Sequence, residues 1–186
     1  MGIRSDIKTI KLRDPAARNW LEIILTYNGM HAVWIYRFSH ILWKMKLKTI
    51  ARMVSNTARF FTGVDIHPAA QIGKNLVIDH GSGVVIGETV VIGENVLIYH
   101  QVTLGGTGND SSAKRHPTIC DCVMIAAGAK ILGNIKVGVM AKVGANAVVL
   151  TDVPPGATAV GMPARIIDKG LVNEKNCSLS IKENGS

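Results

Sequence analysis

The sequence predicts a mainly β chain, a three-sided coil of short strands preceded by a small α-helical segment. Three observations carry this: an aliphatic residue at every sixth place, a composition rich in glycine and poor in aromatics, and a polar, glycine-rich interruption that breaks the period.

The period starts at Ile66 and runs through Ile72, Ile78, Val84, Val90, Val96 and Val102. It resumes at Ile119 and continues through Ile125, Ile131, Val137, Val143 and Val149. A spacing of six fits neither a helix nor a flat alternating strand. It fits a triangular coil in which each side is one short strand and one turn, three hexads make a coil of eighteen residues, and stacked coils bury a continuous apolar column. The 19 glycines and 5% aromatic content agree, since sharp corners need residues free of a Cβ and a conventional core needs more ring bulk. Val102 and Ile119 are out of phase, and the stretch between them, Gly105 to Pro117, reads as a loop leaving the coil, where function is often carried.

Residues 1–62 read as helical. Asp14-Pro15 has the pattern of an N-cap followed by proline at the first helical position, and the run from Ala16 to Tyr27 is expected to stop at Asn28-Gly29. Further helices are expected from about Met30 to Lys46 and from about Thr49 to Phe61. The expected division is a helical domain over 1–62, a coil domain over 63–168 with its loop at 105–117, and a polar tail over 169–186.

Composition narrows the function classes. The chain of 186 residues is 47% hydrophobic with a formal charge of +8. No basic run is interleaved with aromatics, so nucleic acid is not an expected partner. The most apolar stretch, Ile24 to Trp43, carries Asn28, Gly29, His31, Arg37 and His40 and is expected to be buried helix, not a membrane span. No signal peptide is read, and a cytoplasmic location is expected. Cys120, Cys122 and Cys177 are odd in number and give no disulfide framework.

Two histidines have a context that points to chemistry. His80, in Asp79-His80-Gly81-Ser82-Gly83, lies two places after Ile78, in a row otherwise held by Ile86, Ile92, Ile98 and Leu104; a polar side chain breaking an apolar row marks function. Asp65 lies roughly one coil below, near the same edge, where its carboxylate can fix the imidazole tautomer and leave the other nitrogen as a base. Arg115-His116 closes the loop and offers a fixed cation suited to a carboxylate, plus a second imidazole. The Gly105-Gly106-Thr107-Gly108 segment lets backbone approach a phosphate or a pantetheine chain, but it lacks the strand–loop–helix setting of a nucleotide site.

The string VDIHPAAQIG…LVIDHGSGVVIGETVVIG…VTLGGTG…KRHPTI…VMIAAGAKILGNIKVG…AKVGANAVVL…VPPGATAVGMPAR resembles bacterial serine O-acetyltransferase, over roughly residues 12–168. That resemblance implies a left-handed parallel β-helix of hexapeptide repeats, a homotrimer (with a hexamer possible), and transfer of acetyl from acetyl-CoA to the hydroxyl of L-serine in cysteine biosynthesis, with no metal. It implies His80 as base with Asp65 as its partner, His116 as the second active-site histidine, and Asp14, Pro15, Asp79, Arg115 and Glu88 around the amino acid. Gly106, Thr107, Ala126 and Lys142 match positions lining an acetyl-CoA groove between subunits. L-cysteine, nearly isosteric with serine, is the expected feedback inhibitor. Family members that dock into O-acetylserine sulfhydrylase use a terminal isoleucine; the ending Asn184-Gly185-Ser186 departs from this, so docking is not expected. Three rival readings remain at this stage. They are an acetyltransferase for a sugar, an antibiotic or homoserine, a metal hydrolyase resembling γ-class carbonic anhydrase, and a non-enzymatic scaffold. Arg115 and Asp79 favour an amino acid over a sugar. The absence of two closely spaced histidines disfavours the metal site.

Overall fold

The computed structural model describes residues 2–108, 114–167 and 177. From Val64 onward the chain winds through about five turns of two- and three-residue strands, which stack in register into three parallel sheets. Face A stacks Val64–Ile66, Val84–Ile86, Thr103–Gly105, Lys130–Leu132 and Val148–Val149. Face B stacks Gln71–Ile72, Val91–Ile92, Thr118–Ile119 and Lys136–Val137. Face C stacks Val77–Ile78, Leu97–Ile98, Met124–Ile125, Lys142–Val143 and Thr158–Val160, and is closed by Arg165–Ile167, its antiparallel edge strand.

The aliphatic rows fill the prism: every residue of the six-step series is buried except Ile72, which is half-buried. The stacking differs from the one a constant eighteen-residue coil predicts. Ile66 pairs with Ile86, Ile86 with Leu104, and Leu104 with Ile131, so the first coil is two residues longer than the second and the third carries the loop. The two extra residues fall in the turn Asp79–Gly83, where His80, Gly81 and Gly83 all have positive φ. Each strand turns two residues inward, two places apart. A slip of two therefore moves the series from one buried row to the other, and the six-step count continues unbroken from Ile78 to Val84.

Four helices precede the coil: α1 (Ile3–Arg13), α2 (Trp20–Thr26), α3 (Asn28–Lys44) and α4 (Lys48–Thr62). Asp14 is the C-cap of α1 and not the N-cap of the next helix, a role taken by Asn19, whose side chain accepts from the Glu22 amide at 2.9 Å. Asn28-Gly29 opens α3 instead of ending α2. Gly29 is there because α3 lies directly on Ile78, and any Cβ would run into the Ile78 carbonyl.

The helices position the later site in two ways. Ala32, Val33 and Tyr36 of α3 join the main core, and the Tyr36 hydroxyl donates to the Ala70 carbonyl at 2.6 Å. Burial pushes the Tyr36 phenol up to about 12. On face C, Ile10, Ile23 and Met30 pack with Val77 and Leu97. Asp6 of α1 is buried and accepts from Arg37 at 2.5 and 2.8 Å and from the Trp34 indole at 2.9 Å, which fastens α1 to α3. The turn leaving α1 is thereby held over the edge between faces C and A.

Of the loop 105–117, residues 109–113 lie outside the described residues, as does the tail 169–186 apart from Cys177. Cys122, at the edge between faces B and C, is joined to Cys177 in a disulfide with a Cα–Cα distance of 5.8 Å. The odd cysteine count gave no sign of it, because pairing depends on which coil corner faces residue 177.

Candidate active site

Two groups of chemically capable side chains stand at opposite ends of face A. The first lies at the edge where face C turns into face A. The two-residue enlargement of this corner lifts His80 out of the strand, with φ 58° and a side chain 76% exposed. His80 is therefore not a break in the apolar row of Ile86 and Ile92. With Ile78 paired to Ile98, its counterpart in the next coil is His100. The two rings meet edge to face with centroids 5.9 Å apart. His100 Nδ1 is buried and has no hydrogen-bond partner, an arrangement that costs free energy unless a ligand supplies one. His100 had no sequence signal, since the assumed constant period put it in a different place.

Below His80 opens a cleft of about 310 Å³ walled by Asp14, Tyr27, Gly29, Ile78, Asp79 and His80. Asp79 brings a carboxylate oxygen to 3.9 Å from His80 Nε2. Asp14 is fixed from two sides: the Ala16 amide donates to Oδ1 at 2.8 Å, and the Tyr27 hydroxyl donates to Oδ2 at 2.5 Å. Pro15 sits in the same turn. Burial, then the Asp14 hydrogen bond and charge, push the Tyr27 phenol far up, so it stays a donor. Two carboxylates beside a single imidazole suit an ammonium group. Tyr27 was read only as the end of a helix, and nothing in its spacing announced a polar role.

The second group lies at the edge where face A turns into face B. Arg115 donates to Glu88 at 2.6 Å, and this bond holds the Glu88 carboxyl below the usual carboxylate range. His116 is buried against Gly87, where any Cβ would strike the ring. Burial, then the charges of Arg115 and Lys114, lower its basicity. Gly106 approaches the Arg115 carbonyl, and the Thr107 methyl reaches Gly133, so both stand at this same edge.

The remaining sequence-predicted residues sit between or above these groups. Asp65 is in the middle of face A, paired in register with Val85, and its ion pair is with Arg59 at 3.4 Å. Because the first coil has twenty residues, it is not stacked under His80, and no hydrogen bond joins the two among the described residues. Ala126 lies beyond Ile125 at the edge between faces C and A, in the coil above His100, and Lys142 stands exposed on face C. Among the described residues no group of three or more His, Cys, Asp or Glu is arranged to hold a metal ion, and no helix is long and apolar enough to cross a membrane.

No protein-family model matches the chain. Over 165 residues it is 55% identical to the serine acetyltransferase of Bacillus pumilus, covering 89% of this chain and 76% of that protein. The chain belongs to the serine acetyltransferase family. Solved serine acetyltransferases superpose closely. The Neisseria gonorrhoeae enzyme in complex with serine gives a TM-score of 0.84 at 47% identity, over 88% of this chain and 66% of that one. A serine acetyltransferase complex with CoA gives 0.84 at 48%, over 89% and 68%, and a complex with cysteine gives 0.86 at 49%, over 89% and 68%. The chain thus spans about two thirds of the length of these serine acetyltransferase structures.

Proposed function

We propose that the chain transfers acetyl from acetyl-CoA to the hydroxyl of L-serine, at a site completed between two copies of the chain in a homotrimer. The observation that carries this is the separation of the two half-sites. At roughly 3.3 Å per strand residue, the four steps from Gly83 to Gly87 cover about 13 Å. A three-carbon amino acid cannot touch His80 and Arg115 across that distance within one chain. In a ring of three copies, the edge bearing His80 meets the edge of a neighbour bearing Arg115, and both ends of serine find partners.

In this arrangement Asp14 and Asp79 receive the serine ammonium, and Arg115, aligned by Glu88, receives its carboxylate, assisted by His116. His80 takes the hydroxyl proton as the serine oxygen attacks the thioester carbonyl carbon; the C–S bond then breaks and the thiolate of CoA recovers the proton from the imidazolium. His100, whose ring packs edge to face on His80, is assigned the contact that stabilises the tetrahedral oxyanion. Asp65 lies on the face that the neighbour must cover, and we assign it the orienting contact to His80 in the assembled site. The acetyl-CoA arm is assigned to the groove bounded by Ala126 and Lys142 on one chain and by Gly106 and Thr107 on the next. L-cysteine differs from serine by one atom and competes for the same contacts as a feedback inhibitor. The location we assign is the cytoplasm.

The test is thiol release from acetyl-CoA by the purified protein. Release that depends on L-serine, and is not supported by homoserine or a hexose, is expected; release indifferent to the acceptor overturns the reading. Tyr27→Phe removes the charge-assisted hydrogen bond that fixes Asp14, a contact of the 1.5–3 kcal/mol class, so KM for serine is expected to rise about tenfold with KM for acetyl-CoA unchanged. Initial-rate kinetics in both substrates check this.

A further inference from the structure

We infer that Thr89 is a positioning residue that holds His116 as its Nε2–H tautomer, so that this histidine meets serine as a hydrogen-bond donor and not as a proton acceptor. The inference rests on the reading of Arg115 and His116 as part of the serine site. The Thr89 backbone N–H points at His116 Nδ1 from 3.3 Å, and an amide N–H can only donate. The Thr89 hydroxyl oxygen lies 2.8 Å from the same nitrogen and accepts from the Arg115 amide at 3.2 Å, which leaves its own hydrogen for Nδ1. Two donors on Nδ1 require that nitrogen to be unprotonated, and the ring proton of the neutral imidazole then sits on Nε2.

The neighbourhood keeps the ring neutral and still. The charged and titratable groups around it are Arg115, Lys114, Glu88 and His67, with burial and the two cations outweighing the Glu88 carboxylate. Lys114 donates to the carbonyls of Thr89 and His116 at 2.6 Å each and of Pro117 at 3.2 Å, tying the returning end of the loop to the corner that carries Thr89. Gly87 supplies the flat surface under the ring. One threonine thus sets the tautomer of His116 and the backbone position of Arg115.

The experiment is ¹⁵N-detected histidine NMR on the full-length protein, with the His116 signals assigned by comparison with His116→Gln, and serine kinetics on the same samples. In the wild type, Nδ1 is expected in the unprotonated range and Nε2 in the protonated range. Thr89→Val, which keeps the amide but loses the hydroxyl, is expected to give a tautomer mixture and a threefold to tenfold rise in KM for serine, the scale of one lost hydrogen bond. Thr89→Ser is expected to restore both. A wild-type ring protonated on Nδ1, or a Thr89→Val protein with unchanged tautomer and unchanged KM, overturns the inference. Failure of the underlying site assignment looks different: Arg115→Ala then leaves KM for serine unchanged, whatever the tautomer.

Discussion

His80→Asn is expected to lower kcat by two to four orders of magnitude while leaving the melting temperature within a few degrees of the wild type. General-base catalysis by a placed imidazole contributes about 10² to 10⁴ in rate. Asparagine is the informative replacement for a backbone reason. His80 has φ 58°, a conformation that asparagine adopts more readily than alanine, so the enlarged corner is retained when the imidazole is lost. The side chain is 76% exposed and leaves no cavity behind. His80→Ala adds a left-handed alanine to the same loss, and its stability, not its activity, is where it should differ from the asparagine variant. Serine-dependent thiol release measures the rate, and calorimetry measures the stability. A His80→Asn protein that retains more than a tenth of the wild-type rate removes His80 from the role of base.

The way the chain hides its own register shows what sequence can and cannot disclose. The aliphatic period gave the architecture because burial of a stacked column demands an apolar residue at the same place on every face, coil after coil. Any residue in that row is constrained whatever its neighbours do. The register was not legible, since Val84, two places before Ile86, is buried as completely as Ile86 itself and the insertion at Asp79–Gly83 slides the count between two equally apolar rows. That slip had consequences for the site. It placed Asp65 beneath His80, whereas its partner in register is Val85, and it concealed His100 as the next ring in the stack. Asp79, Arg115 and Glu88 were named from family motifs, but their contacts were not legible: the bond between Arg115 and Glu88 bridges 27 positions and depends on the loop returning to the same corner. Tyr27 and Thr89 escaped for a simpler reason. A tyrosine ending a helix and a threonine in a turn are ordinary residues until their hydroxyls are seen against Asp14 and His116.

The second large effect is a gain, from mixing two inactive proteins. On the proposed reading, Arg115→Ala removes the carboxylate anchor at the edge between faces A and B, and His80→Asn removes the base at the edge between faces C and A. In the proposed trimer each variant alone then lacks one half of every site, and each is expected to be nearly inactive with serine. When the two variants are co-expressed, or unfolded and refolded together, some neighbouring pairs bring an intact His80 from one chain to an intact Arg115 from the next. In a closed ring each chain offers one edge of each kind, so random mixing at equal amounts leaves about a quarter of the sites with both residues intact. Against His80→Asn alone, a return to roughly that fraction of wild-type kcat is a gain of one to three orders of magnitude, given the 10² to 10⁴ at stake. Had both residues served the same site within one chain, no mixture would recover anything, because every chain carries a defect. Recovered activity with serine, absent when the proteins are mixed without exchange of subunits, therefore reports directly on whether the gap of about 13 Å across face A between the half-sites is bridged by a neighbouring chain, and a mixture as inactive as its components would place the reaction elsewhere.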